Sequence, residues 1–121
     1  MKIAIPSATD EGLASMRSGH FGHTPFFTIV EYDDSGTITS VESVQNVDHD
    51  EAGCGGVIQY VLTLGVDGIL TAGMGMRPLM GFTQNGVTVY SDTDTPNVGE
   101  AAQKFARGEV AQMSPDQACH H

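Results

Sequence analysis

Val66-Asp67-Gly68-Ile69-Leu70-Thr71-Ala72-Gly73-Met74-Gly75-Met76-Arg77-Pro78 is the stretch that decides the fold class. Its first half has the length and apolar character of a buried strand. Its second half is a glycine loop closing on a proline, which suits a first helical position because the N–H it lacks would be unpaired there. Leu79 and Phe82 supply an apolar helical face, and Asn85-Gly86 supplies the stop. Strand, glycine loop and helix in this order make a βα unit, the building block of α/β domains.

Outward from that unit the pattern continues on both sides. Downstream, Val87-Thr88-Val89-Tyr90 reads as a strand, and Asn97-Val98-Gly99-Glu100 reads as an N-cap with a capping-box glutamate before a helix carrying Ala101, Ala102 and Phe105. Upstream, Val57, Ile58, Val61, Leu62 and Leu64 recur at helical spacing up to Gly65, after a loop-like Ala52-Gly53-Cys54-Gly55-Gly56. Residues 2–6 read as a first strand, 25–32 and 37–46 as a hairpin around Asp33-Asp34-Ser35-Gly36, and 13–16 as a helical turn. The predicted order is β-β-β-α-β-α-β-α. It implies a three-layer α/β/α domain around a mixed five-stranded sheet in which the second strand is antiparallel. A single domain over 1–121 fits the length, with 111–121 as a mobile tail ending in Cys119-His120-His121.

The charge balance narrows the function. Five Lys and Arg against fifteen Asp and Glu leave a net charge of −10, which provides no electrostatic footprint for DNA or RNA. No apolar run approaches the roughly 20 residues of a membrane span, and the N-terminus enters Lys2-Ile3-Ala4-Ile5-Pro6 without a signal-peptide core, so a cytoplasmic location is expected. Two cysteines, Cys54 and Cys119, make no disulfide framework. Of the five cations, Lys2, Lys104 and Arg107 have structural explanations at a strand start and a helix end. Arg17 and Arg77 fall instead in glycine-rich loops, where they can assemble a local anion site.

The loops hold the chemistry-bearing residues. Ser18-Gly19-His20-Phe21-Gly22-His23 places two imidazoles, the commonest side-chain metal ligands, among glycines that let backbone approach a ligand closely. The alternative is that Phe21 plugs the core and the histidines are solvated. Cys54 is read at a helix N-terminus, where the dipole favours its thiolate; the alternative is a small core residue. Met74 and Met76 are either soft thioether ligands or gap fillers. In open α/β sheets ligands sit beyond the carboxyl ends of the parallel strands. With the second strand antiparallel, the loops carrying Arg17, His20, Gly22, His23, Cys54, Gly73, Gly75 and Arg77 share that edge.

The residues also resemble a family. The points of likeness are 1–9, His20-Phe21-Gly22, 27–30, Asn46 with the His/Gly/Cys stretch after it, Gly73-Met74-Gly75-Met76-Arg77-Pro78, Gly86-Val87-Thr88-Val89, and Ala101-Ala102 with Phe105 and Gly108-Glu109. In this order they resemble the dinitrogenase iron-molybdenum cofactor biosynthesis family. That resemblance implies a ribonuclease-H-like fold and a cargo of metal–sulfur cluster, with His20 as the residue associated with it. Small stand-alone members hold a molybdenum–copper sulfide cluster non-covalently.

The expectation is therefore a non-enzymatic protein that binds and stores or delivers an anionic, molybdenum-containing cluster of Mo–Cu–S or Fe–Mo–S type, with a cluster donor or acceptor protein as partner. A cluster brings its own sulfide, which explains why no Cys₄ or Cys₂His₂ spacing appears. Its metal contacts fall to His20 and Cys54, with Met74, Met76, Cys119 and His120 as further candidates. The competing reading is a mononuclear zinc or copper site from His20, His23, Cys54 and the tail. A magnesium nuclease is disfavoured, because Asp10, Asp67 and Asp92 form no recognisable carboxylate set.

Overall fold

The computed structural model describes residues 1–19, 21–47 and 49–113, with the backbone alone over 49–55. The elements are β1 (Lys2–Ser7), β2 (Phe26–Tyr32), β3 (Ile38–Gln45), α1 (His49–Thr63), β4 (Gly68–Thr71), α2 (Met76–Gln84), β5 (Thr88–Ser91), α3 (Val98–Ala106) and β6 (Ala111–Gln112), with a 3₁₀ turn at Gly12–Ala14. The sheet order is β3-β2-β1-β4-β5-β6. Strands β1, β4 and β5 are mutually parallel, β2 is antiparallel to both of its neighbours, and β6 is antiparallel to β5.

The sheet thus has six strands where the sequence suggests five. The sixth is two residues long, pairing Ala111 with Ser91 and Gln112 with Tyr90. So short and exposed a strand carries no alternation to read. It is fixed by its surroundings: the Met113 N–H donates to Val89 O at 2.8 Å, and Met113 is buried in the core. The part of the expected tail at 111–113 is therefore sheet edge; 114–121 lies outside the described residues.

Alternation along the strands divides the core in two. Ala4, Phe27, Ile29, Ile69 and Val89 face one side and are covered by Val57, Ile58 and Val61 of α1 with Leu79 and Phe82 of α2. Ile3, Ile5, Val30, Tyr32 and Leu70 face the other and are covered by Val98, Ala101 and Ala102 of α3. This is the three-layer arrangement. Fully burying a side chain the size of Phe27 or Phe82 contributes about 2–3 kcal/mol. On the α3 side the buried Tyr32 hydroxyl donates to Ala102 O at 2.8 Å, and burial pushes its phenol well above the usual tyrosine range.

Two helix starts differ from the expectation. α1 begins at His49, not near Val57, so Cys54 lies within the helix and not at its N-terminus. Gly53, Gly55 and Gly56 each cost a helix about 1 kcal/mol relative to alanine. Once Val57, Ile58 and Val61 dock, however, each residue added upstream gains a backbone hydrogen bond without a new nucleation cost. In α2 the N-cap is Gly75, which makes Pro78 the third helical residue and not the first. It is still in the first turn, where no intrahelical bond needs its N–H.

Candidate functional site

Because β1, β3, β4 and β5 all run the same way, Ser7, Gln45, Thr71 and Ser91 end at one edge of the sheet. From β1 the chain crosses to β2 on one side, and from β4 it crosses to β5 on the other. The reversal opens a crevice between β1 and β4, the place where such sheets take ligands.

A ribbon of the first connection crosses this crevice. Arg17 bridges Ser7 and Met16 bridges Asn97, both antiparallel. The Arg17 N–H donates to Pro96 O at 2.7 Å, the Ser18 N–H to Pro6 O at 3.0 Å and the Ala8 N–H to Met16 O at 2.9 Å. The ribbon hangs between the end of β1 and the Pro96-Asn97 segment, spanning the space past the end of β4. A connection without apolar periodicity is thereby stitched in place by backbone hydrogen bonds.

The Arg17 side chain is 5% exposed and the Asp92 side chain 6%. Arg17 Nη1 lies 3.3 Å from Asp92 Oδ2 and 2.9 Å from Thr95 O. Lys104 Nζ lies 3.3 Å from Asp92 Oδ1 and 3.0 Å from Thr95 Oγ1. Two cations share one carboxylate, so the group carries a net positive charge inside a protein of charge −10. Burial lowers the Arg17 guanidinium below its usual value, with Asp92 opposing the shift. Burial alone would raise the Asp92 carboxyl, but hydrogen bonds from Thr95, the Asp94 N–H and Lys104, with the Lys104 charge, hold it below the ordinary range.

Past the ribbon, Phe21 is buried against Phe27 and edge-on to Phe82, at ring separations of 5.7 and 5.4 Å, as the plug reading requires. Asn46, just past β3, donates through Nδ2 to Gly22 O at 3.2 Å and Thr24 O at 2.9 Å, while its buried Oδ1 has no partner among the described residues. These contacts fix the Gly22–Thr24 backbone to the same edge. His23 is exposed there.

The third contribution follows β4. Thr71 Oγ1 donates to Gly73 O at 2.9 Å, shaping the loop that ends in the Gly75 N-cap of α2. Gly75 makes no side-chain cap bond, and the positive end of the helix dipole favours an anion there. A Cβ on Gly73 would meet nothing within 4 Å, so the loop has open space beside it. Met74 is 3% exposed and packs in the core, and Met76 packs partly against it, which is the gap-filling role. Arg77 is exposed and makes no ion pair with a described residue; with Ile58, Met76 and Met80 it lines a groove of about 600 Å³ between α1 and α2.

The structure brings Arg17, Gly22, His23, Gly73, Gly75 and Arg77 to one edge. His20, Cys119, His120 and the Cys54 side chain lie outside the described residues. Among the described residues no three His, Cys, Asp or Glu side chains gather as a metal-ligand group, and no helix is long and apolar enough to cross a membrane. Sequence reasoning misses Asp92, Thr95 and Lys104 as partners of Arg17. The one available signal is an acidic residue directly after a parallel strand.

A family model for dinitrogenase iron-molybdenum cofactor proteins matches residues 1–108. The chain belongs to this family. Among solved structures, the crystal structure of PH0822 superposes with a TM-score of 0.79 at 26% identity, covering 93% of this chain and 96% of that one. The apo form of the orange protein from Desulfovibrio gigas gives 0.78 at 22% identity, covering 93% and 92%. The NMR structure of TM1290 from Thermotoga, of the DUF35 family, gives 0.70 at 28% identity, covering 92% and 91%. None of the curated proteins gives a significant match. The likeness to the orange protein is one of fold, and family membership links the chain to iron–molybdenum cofactor chemistry.

Proposed function

We propose that this protein binds an anionic, molybdenum-containing metal–sulfur cluster and stores it or delivers it to an acceptor protein, without catalysing a reaction on it. The cargo is a Mo–Cu sulfide or an Fe–Mo–S precursor of the nitrogenase cofactor. One observation carries the reading: the N-terminus of α2, behind a glycine loop with open space beside Gly73, lies at the edge where four strand ends converge. We read the six-stranded sheet as a variant of the ribonuclease-H-like arrangement implied by the family resemblance, and the protein as cytoplasmic.

A cluster carries its own sulfide and a negative charge, so its holder needs oriented N–H donors, a few cations and space more than a ligand cage. The described edge offers the positive end of the α2 dipole, the exposed Arg77, and room beside Gly73 and Gly19. His20 is assigned the direct contact to metal or cluster sulfur, on the strength of its place in the His-Phe-Gly motif. Cys54 is a further donor candidate on α1.

Protein purified without oxygen should show charge-transfer bands in the visible and acid-labile sulfide, and the apoprotein should regain them on titration with tetrathiomolybdate, with or without copper. His20→Ala should abolish or greatly weaken uptake while circular dichroism stays unchanged. Arg77→Ala should weaken it by about 1 kcal/mol in a salt-sensitive way, as befits an exposed charge contact. Undiminished uptake by His20→Ala would remove that loop from the site. Stoichiometric zinc or copper without sulfide would replace the cluster by a mononuclear site.

A further inference from the structure

The ribbon across the crevice between β1 and β4 carries a charge that its neighbours use only in part. Both protons of Arg17 Nη1 are spent, one on Asp92 Oδ2 and one on Thr95 O. Nε and Nη2 are buried and have no hydrogen-bond partner among the described residues. Asp92 cannot turn to serve them: Oδ2 is held by Arg17, and Oδ1 accepts from Lys104 at 3.3 Å and from the Asp94 N–H at 3.2 Å. A buried donor left unmade is costly, and a charged one more so.

The two idle donors form one edge of the guanidinium. Along that edge the Nε–H and one Nη2–H point in parallel, the fork that matches two adjacent oxygens or sulfurs of a single anion. Asp92 fixes the plane of the fork through Nη1, and Lys104 leaves the group with an uncompensated positive charge. The ribbon that carries Arg17 hangs across the strand reversal and ends beside Gly19, where a Cβ would meet nothing within 4 Å.

We propose that the Nε–Nη2 edge of Arg17 is a two-point site for one edge of a tetrahedral dianion, an oxo- or thiometallate, in the crevice between β1 and β4. It rests on the cluster-binding reading for the thio form, because a thiometallate is the anionic building block of such a cargo. Asp92 acts as a positioning residue, holding the fork open and in plane.

The test follows the Arg17 Nε–H signal by ¹H–¹⁵N NMR in the full chain, assigned by its loss in Arg17→Lys, during separate titrations with molybdate, tetrathiomolybdate and sulfate. Arg17→Lys keeps a cation beside Asp92 but has no fork. The expected result is a saturable shift of the Nε–H with molybdate or tetrathiomolybdate, with Arg17→Lys folded and binding roughly tenfold or more weakly. A signal unmoved by all three anions overturns the site, as does Arg17→Lys binding like the parent. A shift with sulfate alone overturns the metallate assignment. The outcomes separate the two proposals: cluster uptake with an unmoved Nε–H removes the fork alone, and a shifted Nε–H in a protein that takes up no cluster removes the cargo reading alone. Should Arg17→Lys not fold, the parent's Nε–H titration still decides.

Discussion

Arg17 is the residue at which reading the chain and seeing it folded differ most. In the sequence it is one of five cations and lies in a polar connection, which suggests an exposed loop charge. In the structure it is the inner partner of Asp92, 75 residues away. A buried ion pair stripped of one partner leaves the other charge uncompensated, at a cost of about 3–5 kcal/mol. Asp92→Ala should lower the unfolding free energy by about that amount in urea denaturation, whereas a loss below about 1 kcal/mol would show that the pair contributes little. The pH dependence has a defined sign. The folded-state pKa of Asp92 is depressed, so its contribution is present above the unfolded carboxylate value near pH 4 and fades as the pH falls through the folded value. Parent and Asp92→Ala should therefore converge in stability on acidification and keep a constant gap between about pH 5 and 8.

At the scale of elements, α3 is what holds the Arg17 ribbon. Asn97 caps it in the way the sequence predicts, its Oδ1 accepting from the Glu100 N–H at 2.9 Å. Its Nδ2 also reaches Leu13 O at 3.3 Å and Ser15 O at 3.4 Å, which ties the helix start to the 3₁₀ turn. Gly99 permits this close approach, since a Cβ there would lie 2.9 Å from Leu13 O. The cap was legible because capping is local, a matter of residues three apart. The tie to Leu13 and Ser15 was not, because nothing in either segment names the other. Asn97→Ala should cost about 1–2 kcal/mol through the lost cap. It should also speed amide exchange at Arg17 and Ser18, whose N–H groups hold the ribbon to Pro96 and Pro6. Stability loss without faster exchange at those two amides would separate the cap from the ribbon.

For the whole molecule the governing quantity is net charge. At −10 the protein repels an approaching anion over distances longer than the reach of any single cation, while Arg17, Lys104 and Arg77 act at contact. Salt screens the long-range repulsion first, with a Debye length of about 10 Å at 0.1 M. The association rate of tetrathiomolybdate in stopped-flow should therefore rise with ionic strength, and its dissociation rate should rise as the contact charges are screened. An association rate that falls with salt would mean that the strand-end edge steers anions despite the overall charge.

Local sequence was enough for the α/β class, the hairpin with its antiparallel second strand, the βα unit at 66–78 and the α3 cap. Each rests on short-range regularity: strand alternation, helical spacing, caps and turns act between near neighbours. Tertiary structure alone decided four things. β6 exists because β5 offers it an edge, and α1 reaches back to His49 through its glycines because its later turns are docked. Met74 is core and not a displayed thioether. Arg17 is turned inward with two donors idle, because only the sheet order β3-β2-β1-β4-β5-β6 brings the ends of β1 and β5 close enough for Arg17 to meet Asp92. Interactions between residues so far apart in the chain leave no periodicity in it; they are set when the strands pair.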